Sequence, residues 1–266
     1  MPGLSEKTFQ LFKKSPVKFV ATVGEDGYPN LVPILSLTAW DKDTLCFVRF
    51  MVWKTRKNLE ERKKVAVGTM GLFRTVEVLG EFVGFEKSGE KLEFFNTQPI
   101  YRYNAYFGAG QVGVIQVKEE AGSYPSRLWR GIQARLFAPS FNHHSSSVKP
   151  VMPKPVFEKF SRILAVKFLS WIDEQGFPRT MPAMGAFPLS PDKIAVLGNL
   201  EFFRSLNPGK ELSLAVLFTE PGAYQVKGRF AGIESRGVGE YALIELEQSF
   251  SCAPPLPGEQ IYPSTP

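Results

Sequence analysis

The sequence predicts an all-β protein with short flanking helices, organised as two six-stranded antiparallel β-barrels in tandem. The main observation is an internal repeat: VKFVATVGEDGYPNLVP, residues 17–33, returns as VKFLSWIDEQGFPRTMP, residues 166–182, at a constant offset of 149 residues. Carried on to Val67 and Val216, this offset gives eleven identities in 51 positions, where average composition predicts about three. Both copies contain short β-branched and apolar runs separated by glycine- and proline-containing turns, which is typical of antiparallel sheets. The chain is therefore a duplication of one β-rich unit.

Length and composition indicate the domain organisation. A chain of 266 residues with 44% hydrophobic residues can bury two cores. We expect an N-terminal barrel over 1–125, a linker over 126–165 and a C-terminal barrel over 166–266. No run of about 18 apolar residues occurs, so the sequence predicts neither a signal peptide nor a membrane span. We therefore expect a cytoplasmic protein. Cys46 and Cys252 form no paired motif, so we expect free thiols.

The formal net charge of +6 raises the question of an anionic partner. Basic residues are spread along the chain, with one concentration over 54–64 that also holds Glu60 and Glu61. A charge run broken by carboxylates disfavours nucleic-acid binding. The pattern is better explained by a small anionic ligand at that segment.

The first repeat begins with a helix that Ser5 caps and that ends at about Lys14, before Ser15-Pro16. The turn at 24–27 (GEDG) joins the first two strands as a hairpin. A short basic helix over 54–62 lies between the third and fourth strands. Closing these strands into a barrel leaves few bare edges. The predicted strands are 17–23, 30–38, 44–50, 65–70, 75–85 and 112–118.

The second repeat follows the same path with one difference. Its predicted strands are 166–172, 179–187, 193–198, 212–218, 223–233 and 239–247, with a turn of helix near 202–206. Between its last two strands the first repeat holds an insertion within 88–110. Two interpretations stay open for this insertion, a surface helix with a loop and an aromatic flap over a ligand. The residues that suggest a flap are Tyr101, Arg102, Tyr103, Tyr106 and Phe107.

The segment between the repeats combines an extended proline-rich stretch, KPVMPKP, with a helix predicted over 156–164. That helix is equivalent to the one at the N-terminus. His143 and His144 are expected to lie in a polar loop, with a metal or haem ligand as the alternative. Because neighbouring histidines without further ligands make a poor metal site, we predict no metal.

The order of these motifs resembles the FMN-binding split β-barrels of the pyridoxamine 5′-phosphate oxidase-like superfamily. The resemblance depends on the acidic turn ending in Gly-x-Pro, the following strand ending in proline, and the segments 54–59 (KTRKNL) and 65–67 (VAV). It covers both repeats, and it implies that they pair side by side as a pseudo-dimer with FMN in the groove between them. Association of two such chains in a homodimer stays an open alternative.

The resemblance also implies a set of FMN-binding residues. The phosphate is expected at the start of the basic helix, where free N–H groups and the helix dipole favour an anion. The backbone of Asn30, Leu31 and Val32 is expected along the isoalloxazine edge, with Thr75 at the pyrimidine side. The second repeat keeps only Arg204 of the phosphate segment, so we expect one FMN per chain. The phosphate residues implied in the first repeat are Lys54, Thr55, Arg56, Lys57 and, ending the third strand, Arg49.

The function implied is an FMN-dependent oxidoreductase acting on an unassigned small-molecule substrate or electron donor, with a nicotinamide nucleotide as one candidate donor. Val32 and Leu37 stand where pyridoxamine phosphate oxidase itself has arginine and lysine, and its C-terminal Arg-Leu-x-Pro motif is missing. That particular activity is therefore not expected. No evident general acid or base stands out, so catalytic residues are not assigned. Three alternatives stay open: a haem-binding or haem-processing protein, a deazaflavin-dependent reductase, and a non-enzymatic FMN-binding module.

Overall fold

The computed structural model describes residues 3–50, 52–98, 108–126, 129–137, 150–217, 222–236, 239–253 and 257–263. Its helices are α1 (Glu6–Lys14), α2 (Trp53–Arg62), α3 (Glu90–Thr97), α4 (Arg130–Phe137), α5 (Lys154–Ser161) and α6 (Leu200–Arg204). The first repeat contains the strands β1 (Val17–Val23), β2 (Pro29–Pro33), β3 (Thr38–Ala39), β4 (Thr44–Val48), β5 (Lys64–Met70), β6 (Arg74–Glu86) and β7 (Val112–Pro125). The second contains β8 (Val166–Ile172), β9 (Pro178–Pro182), β10 (Ala186–Ser190), β11 (Lys193–Val196), β12 (Glu211–Leu217), β13 (Ala223–Arg236), β14 (Gly239–Ser251) and β15 (Gln260–Tyr262).

Two antiparallel sheets with one common strand order form the molecule. The first runs β2-β1-β5-β6-β7-β4-β3 and the second runs β9-β8-β12-β13-β14-β11-β10, with β15 added beside β14. Each position in the first order is matched by its repeat equivalent in the second. The duplication and the all-β fold predicted from the sequence are therefore confirmed, while the boundaries at 125 and 165 stay a prediction.

Each sheet wraps around its own apolar core, and a helix closes one end. In the first repeat Phe12 of α1 is fully buried in that core, together with Leu45, Leu59 and Val78. Phe160 of α5 occupies the equivalent place in the second repeat. Ser5 caps α1 by accepting a hydrogen bond from the backbone N–H of Thr8, as the sequence predicted.

A third core joins the two repeats face to face. Phe19 of β1 and Phe168 of β8, which are repeat equivalents, stack with ring centroids 4.5 Å apart and are both fully buried. Leu31, Ala66 and Ala215 pack around them. An added Cβ at Gly68 would stand 2.6 Å from the Phe168 ring, so the close approach of the repeats requires glycine there. The prediction of a paired pseudo-dimer is confirmed.

The strands differ from the sequence prediction in two respects. The predicted second strand, 30–38, is divided into β2 and β3, because Pro33 has no N–H to continue the ladder and a turn follows in which Leu37 donates to the carbonyl of Ile34. The predicted strand 179–187 is likewise divided into β9 and β10, so each sheet has at least seven strands rather than six. The last strand of the first repeat extends to Pro125 instead of 118, and bulges at Gly80 and Gly84 let the long β6–β7 ribbon bend.

Several predicted features lie outside the described residues. They are His143 and His144 and the aromatic part of the insertion, residues 101–107. The described part of that insertion contains α3, which packs Phe95 against the β4–β7 end of the first sheet. None of the helices in the described part of the chain is long and apolar enough to cross a membrane.

Candidate functional site

A buried polar network attaches α2 to the first hairpin. The side-chain amide of Asn30 donates to the hydroxyls of Thr55 (3.2 Å) and Thr22 (3.4 Å), and that of Asn58 donates to Thr22 (3.0 Å). All four side chains are at most 2% exposed. Thr55 and Asn30 are thus brought together, but their side chains fix the helix to the sheet and do not face a groove.

Lys54 extends from α2 toward the second repeat. Its ammonium lies 4.1 Å from the centroid of the Phe250 ring on β14. Val52, the residue before the helix, makes no side-chain capping bond, so the first N–H groups of α2 are not satisfied by a side chain there. The charge of Lys54 and the positive end of the α2 dipole therefore lie close together at the boundary between the repeats. We call the space between α2 and the turn 24–28 on one side, and β13 and β14 on the other, the first groove.

Lys227 of β13 is a second cation in the first groove. It is fully buried, donates to Asp26 Oδ2 at 2.7 Å, and lies 5.3 Å from the same Phe250 ring. Burial and the neighbouring charge of Lys54 lower its pKa to about 8, against the opposing effect of Asp26. The charge of Lys54 also acts on Asp26, so two ammonium groups lie near this one carboxylate.

The carboxylate of Asp26 remains ionised in this setting. Burial opposes its ionisation, but the hydrogen bond and charge of Lys227 and the charge of Lys54 lower its pKa overall. Tyr28 lines the same groove, and its hydroxyl donates to Glu247 of β14. The guanidinium of Arg229 stands 5.5 Å from the Tyr28 ring and 3.0 Å from Glu247. The groove wall is therefore built by side chains from both repeats.

The other basic residues predicted for the phosphate lie further out. Lys57 is exposed and forms an ion pair with Glu25 at 2.5 Å, while Arg56 pairs with Glu60 at 2.8 Å along the helix. Arg49 donates a hydrogen bond to the side chain of Gln111. The guanidinium groups of Arg49 and Arg56 each lie 5.9 Å from the centroid of the Phe85 ring. Within the described residues, Lys54 is the predicted cation that faces the second repeat.

The three further residues predicted along the flavin ring, Leu31, Val32 and Thr75, lie in three different environments. Leu31 is fully buried in the core between the repeats, and Val32 packs against the first barrel core. Thr75 shares no described contact with α2; its hydroxyl lies 3.2 Å from that of Ser126. Thr75, at the start of β6, lies on the opposite side of the pseudo-dimer from the first groove. We call the space there the second groove. The roles of these residues toward a flavin stay predictions.

The second groove lies between β6 and β7 of the first repeat and β9 and α6 of the second. Phe203, at the position of Lys54, is fully buried in the second core. Arg204 is exposed and pairs with Glu240 at 2.6 Å. The helix α6 has five residues, begins at Leu200 and has Glu201 in its first turn; the guanidinium of Arg130 from α4 lies beside Gly198, just before this helix.

A buried ion pair occupies the second groove instead. Glu77 of β6 is fully buried and accepts one bifurcated hydrogen bond from Arg179 Nε (3.1 and 3.2 Å) and one of 2.8 Å from its Nη2. The backbone N–H of Thr180 donates to the same carboxylate at 2.6 Å. These contacts join the two repeats and raise the pKa of Arg179. The grooves are thus chemically unequal: two lysines lie close together in the first, whereas the second contains a buried ion pair and the guanidinium of Arg130.

Lys227 was missed by the sequence reasoning although a signal for it existed. At its place in the first repeat stands Leu79, so a lysine replaces an apolar residue on a predicted strand. A charge at such a position has to find a partner when the strand is buried. Its partner, Asp26, comes from the other repeat, and sequence reasoning could not place it. Among the described residues, no group of three histidine, cysteine or carboxylate side chains is arranged to hold a metal ion.

The strand order defines a class of fold: a tandem protein in which one split β-barrel is present twice in one chain. No protein-family model matches the chain, and no curated protein matches it. The likeness to solved structures covers one repeat. The assignment of the fold comes from the strand order that both repeats share.

Three of the matching solved structures illustrate this coverage. HupZ of Group A Streptococcus is 20% identical, with a TM-score of 0.37, over 46% of this chain and 93% of its own. A candidate pyridoxamine 5′-phosphate oxidase of Lactobacillus delbrueckii is 21% identical, with a TM-score of 0.37, over 46% and 93%. An FMN-binding protein of Syntrophomonas wolfei is 18% identical, with a TM-score of 0.35, over 44% and 86%.

Proposed function

We propose that this chain is a flavoprotein that binds FMN in the first groove, with the flavin phosphate at Lys54 and Lys227. The observation that carries the proposal is that these two ammonium groups, one from each repeat, lie near the same Phe250 ring, while one carboxylate, Asp26, pairs with Lys227. A fully buried lysine is costly unless its charge is compensated. Asp26 compensates one of the two charges, and an anion would compensate the other.

The residues present fit a phosphate group. Lys54 and Lys227 supply charge, and the first turn of α2 supplies N–H donors and the positive end of its dipole. The network of Thr22, Asn30 and Thr55 fixes that helix end relative to the sheet. A rigid donor set of this kind is what selects a phosphorylated ligand over its uncharged parent.

The ring of the flavin is proposed to lie along β2, between the repeats. This strand is the edge of the first sheet, pairs only with β1 in the described sheet order, and faces β12 and β13 of the second repeat. Asn30, Leu31 and Val32, implied by the family resemblance, belong to this strand. Bound there, FMN would supply hydride transfer, while the chain binds and orients it.

An oxidoreductase role follows from that chemistry, with a small-molecule substrate and a nicotinamide nucleotide as the electron donor tested first. The absorption spectrum of the purified protein separates FMN from the alternatives. A flavin spectrum supports the proposal, a Soret band would assign haem, and deazaflavin fluorescence would assign that cofactor. Oxidation of NADH or NADPH by the FMN-loaded protein then distinguishes an enzyme from a binding module.

The binding site itself is tested by titrating FMN and riboflavin against Lys54→Ala. A charge-assisted hydrogen bond contributes roughly 1.5–3 kcal/mol, so FMN should bind about tenfold to a hundredfold more weakly while riboflavin is almost unchanged. Lys57→Ala is the matched control, because Lys57 lies on the same helix but pairs with Glu25 at the surface. An equal loss for both ligands, or an equal effect of the two variants, would remove Lys54 from the phosphate site.

A further inference from the structure

Large apolar side chains are exposed together on one side of the molecule. Six of the ten that the described residues expose lie on α4 or on the segments that contact the start and the underside of this helix. Folded proteins usually expose such side chains singly, and a contiguous group of them commonly marks an interaction site. We call this surface the apolar face; it consists of Leu72, Phe73, Trp129, Ile132, Leu136 and Leu164.

The packing of α4 explains why its apolar residues point outward. Gly131 is buried, and a Cβ added there would stand 2.4 Å from the carbonyl oxygen of Ile163, so the helix rests on that segment through its backbone. Trp129, Ile132 and Leu136 follow one another at the spacing of a single helix face, on the other side from Gly131. Each of the three is at least half exposed, so the described residues leave this face of the helix uncovered.

The turn between β5 and β6 extends the apolar face beyond the helix. The N–H of Ser126, just before α4, donates to the carbonyl of Phe73 at 3.0 Å, and the hydroxyl of Ser126 donates to the carbonyl of Gly71 at 2.7 Å. These bonds hold the turn beside the start of α4, where Phe73 is 83% exposed and Leu72 is exposed next to it. Leu164 is exposed directly after the segment on which α4 rests. The apolar side chains therefore protrude from the surface.

The chain that carries α4 is basic. Residues 121–157 include five lysines and arginines but no aspartate or glutamate, although the net charge of the whole chain is only +6. This stretch contains α4 and the start of α5, and both helices contact β10. At the edge of the apolar face Arg74 pairs with Glu120 at 3.9 Å, so this carboxylate is compensated. A second copy of the chain would bring like charges together, whereas an anionic surface complements them.

We propose that the apolar face docks the protein on an anionic lipid bilayer, with Phe73 and Trp129 inserted at the boundary between headgroups and acyl chains. Fluid lipid accepts protruding side chains without a matching pocket, and aromatic rings favour this boundary. Stable attachment of a protein that lies on a membrane needs two signals, and apolar insertion is combined here with basic residues that attract anionic headgroups. The docking is independent of the proposed flavin site, since no residue of the first groove belongs to the apolar face.

Sedimentation with lipid vesicles tests this docking, using phosphatidylcholine vesicles with and without about 30 mol% phosphatidylglycerol. We expect the wild-type chain to bind the anionic vesicles about tenfold more tightly than the neutral ones, and added salt to weaken the binding. The double variant Leu72→Ser and Phe73→Ser should bind the anionic vesicles about tenfold more weakly. Val83→Ser is the matched control and should bind like the wild type, because Val83 is 64% exposed, against 66% for Leu72, but lies near the other end of β6.

A second double variant, Ile132→Ser and Leu136→Ser, changes the helix side of the apolar face and should show the same loss, with Tm unchanged in both double variants. Equal binding of Val83→Ser and either correctly folded double variant would overturn the proposal, as would equal binding of the wild type to both kinds of vesicle or no binding at all. Analytical ultracentrifugation without vesicles tests the other occupant. A wild-type dimer that the double variants lose would assign the apolar face to a second copy of the chain, and would also overturn the proposal.

Discussion

The ion pair in the second groove makes a prediction about the joint between the repeats. Glu77→Gln removes the charge of a fully buried carboxylate while keeping the shape of the side chain. The glutamine oxygen can still accept from the N–H of Thr180, but its amide group replaces one of the two oxygens that Arg179 contacts. The guanidinium then loses its charged acceptor and one of its two counter-ions, and Asp173 remains as the other.

The expected cost follows from these contacts. A hydrogen bond to a charged group contributes about 1.5–3 kcal/mol, and breaking a fully buried pair costs about 3–5 kcal/mol. The Arg179 side chain is 23% exposed to water and keeps its 3.6 Å contact with Asp173, so the lower part of these ranges applies. We expect Glu77→Gln to lower the free energy of unfolding by about 2–3 kcal/mol, which corresponds to a fall in Tm of roughly 4–12 °C.

Thermal and urea unfolding followed by circular dichroism measure this change. Glu81→Gln is the matched control, because Glu81 lies on the same strand and pairs with Lys118 at 3.0 Å, but both side chains of this pair are exposed. Surface pairs contribute about 0–1 kcal/mol, so the control should stay close to wild type. If Glu77→Gln is no less stable than Glu81→Gln, the buried pair does not hold the repeats together.

Two further predictions concern the ligand. The flavin released by denaturation should amount to one FMN per chain. Arg204→Ala should leave that ratio unchanged, because Arg204 pairs with Glu240 away from the groove. A ratio near two that falls to one in Arg204→Ala would show that both grooves bind FMN. The affinity for FMN should fall about tenfold per pH unit above pH 8. Burial and the charge of Lys54 lower the pKa of Lys227 to about 8, so the free protein loses this charge as the pH rises through that value, and binding of the phosphate then requires reprotonation. Riboflavin should lack this dependence and Lys227→Met should abolish it, whereas identical pH profiles for FMN and riboflavin would exclude Lys227 from phosphate binding.

Local sequence determined the elements and their order. The strands Val17–Val23 and Val166–Ile172 were predicted with their observed bounds, because alternating β-branched and apolar residues end there at turns with glycine at positive φ, Gly27 and Gly176. The repeat offset then predicted two equal sheets, since similar sequences with the same turn chemistry fold in the same way. The helix α1 was also predicted with its cap, because the capping Ser5 and the stop at Ser15-Pro16 are local sequence features.

The groove chemistry was decided by tertiary structure. The basic segment 54–57 was visible in the sequence, but only packing shows that Lys54 faces the second repeat while Lys57 and Arg56 pair with carboxylates on their own side. Thr55, expected at the phosphate, is used to attach the helix to the sheet. Which face of a short helix meets a neighbour depends on contacts made across the fold, and the charge pattern does not contain them.

Contacts between residues far apart in the chain account for the rest. Asp26 and Lys227 meet across 201 residues, and Glu77 and Arg179 across 102. Each pair depends on the angle at which the two sheets pack, which the stacking of Phe19 on Phe168 and the small side chains around it determine. The sequence by itself determined two copies of one β-fold and a basic segment in the first. Only the packing of the copies decided that one groove brings two lysines together while the other contains a buried ion pair, because buried charges select their partners in three dimensions.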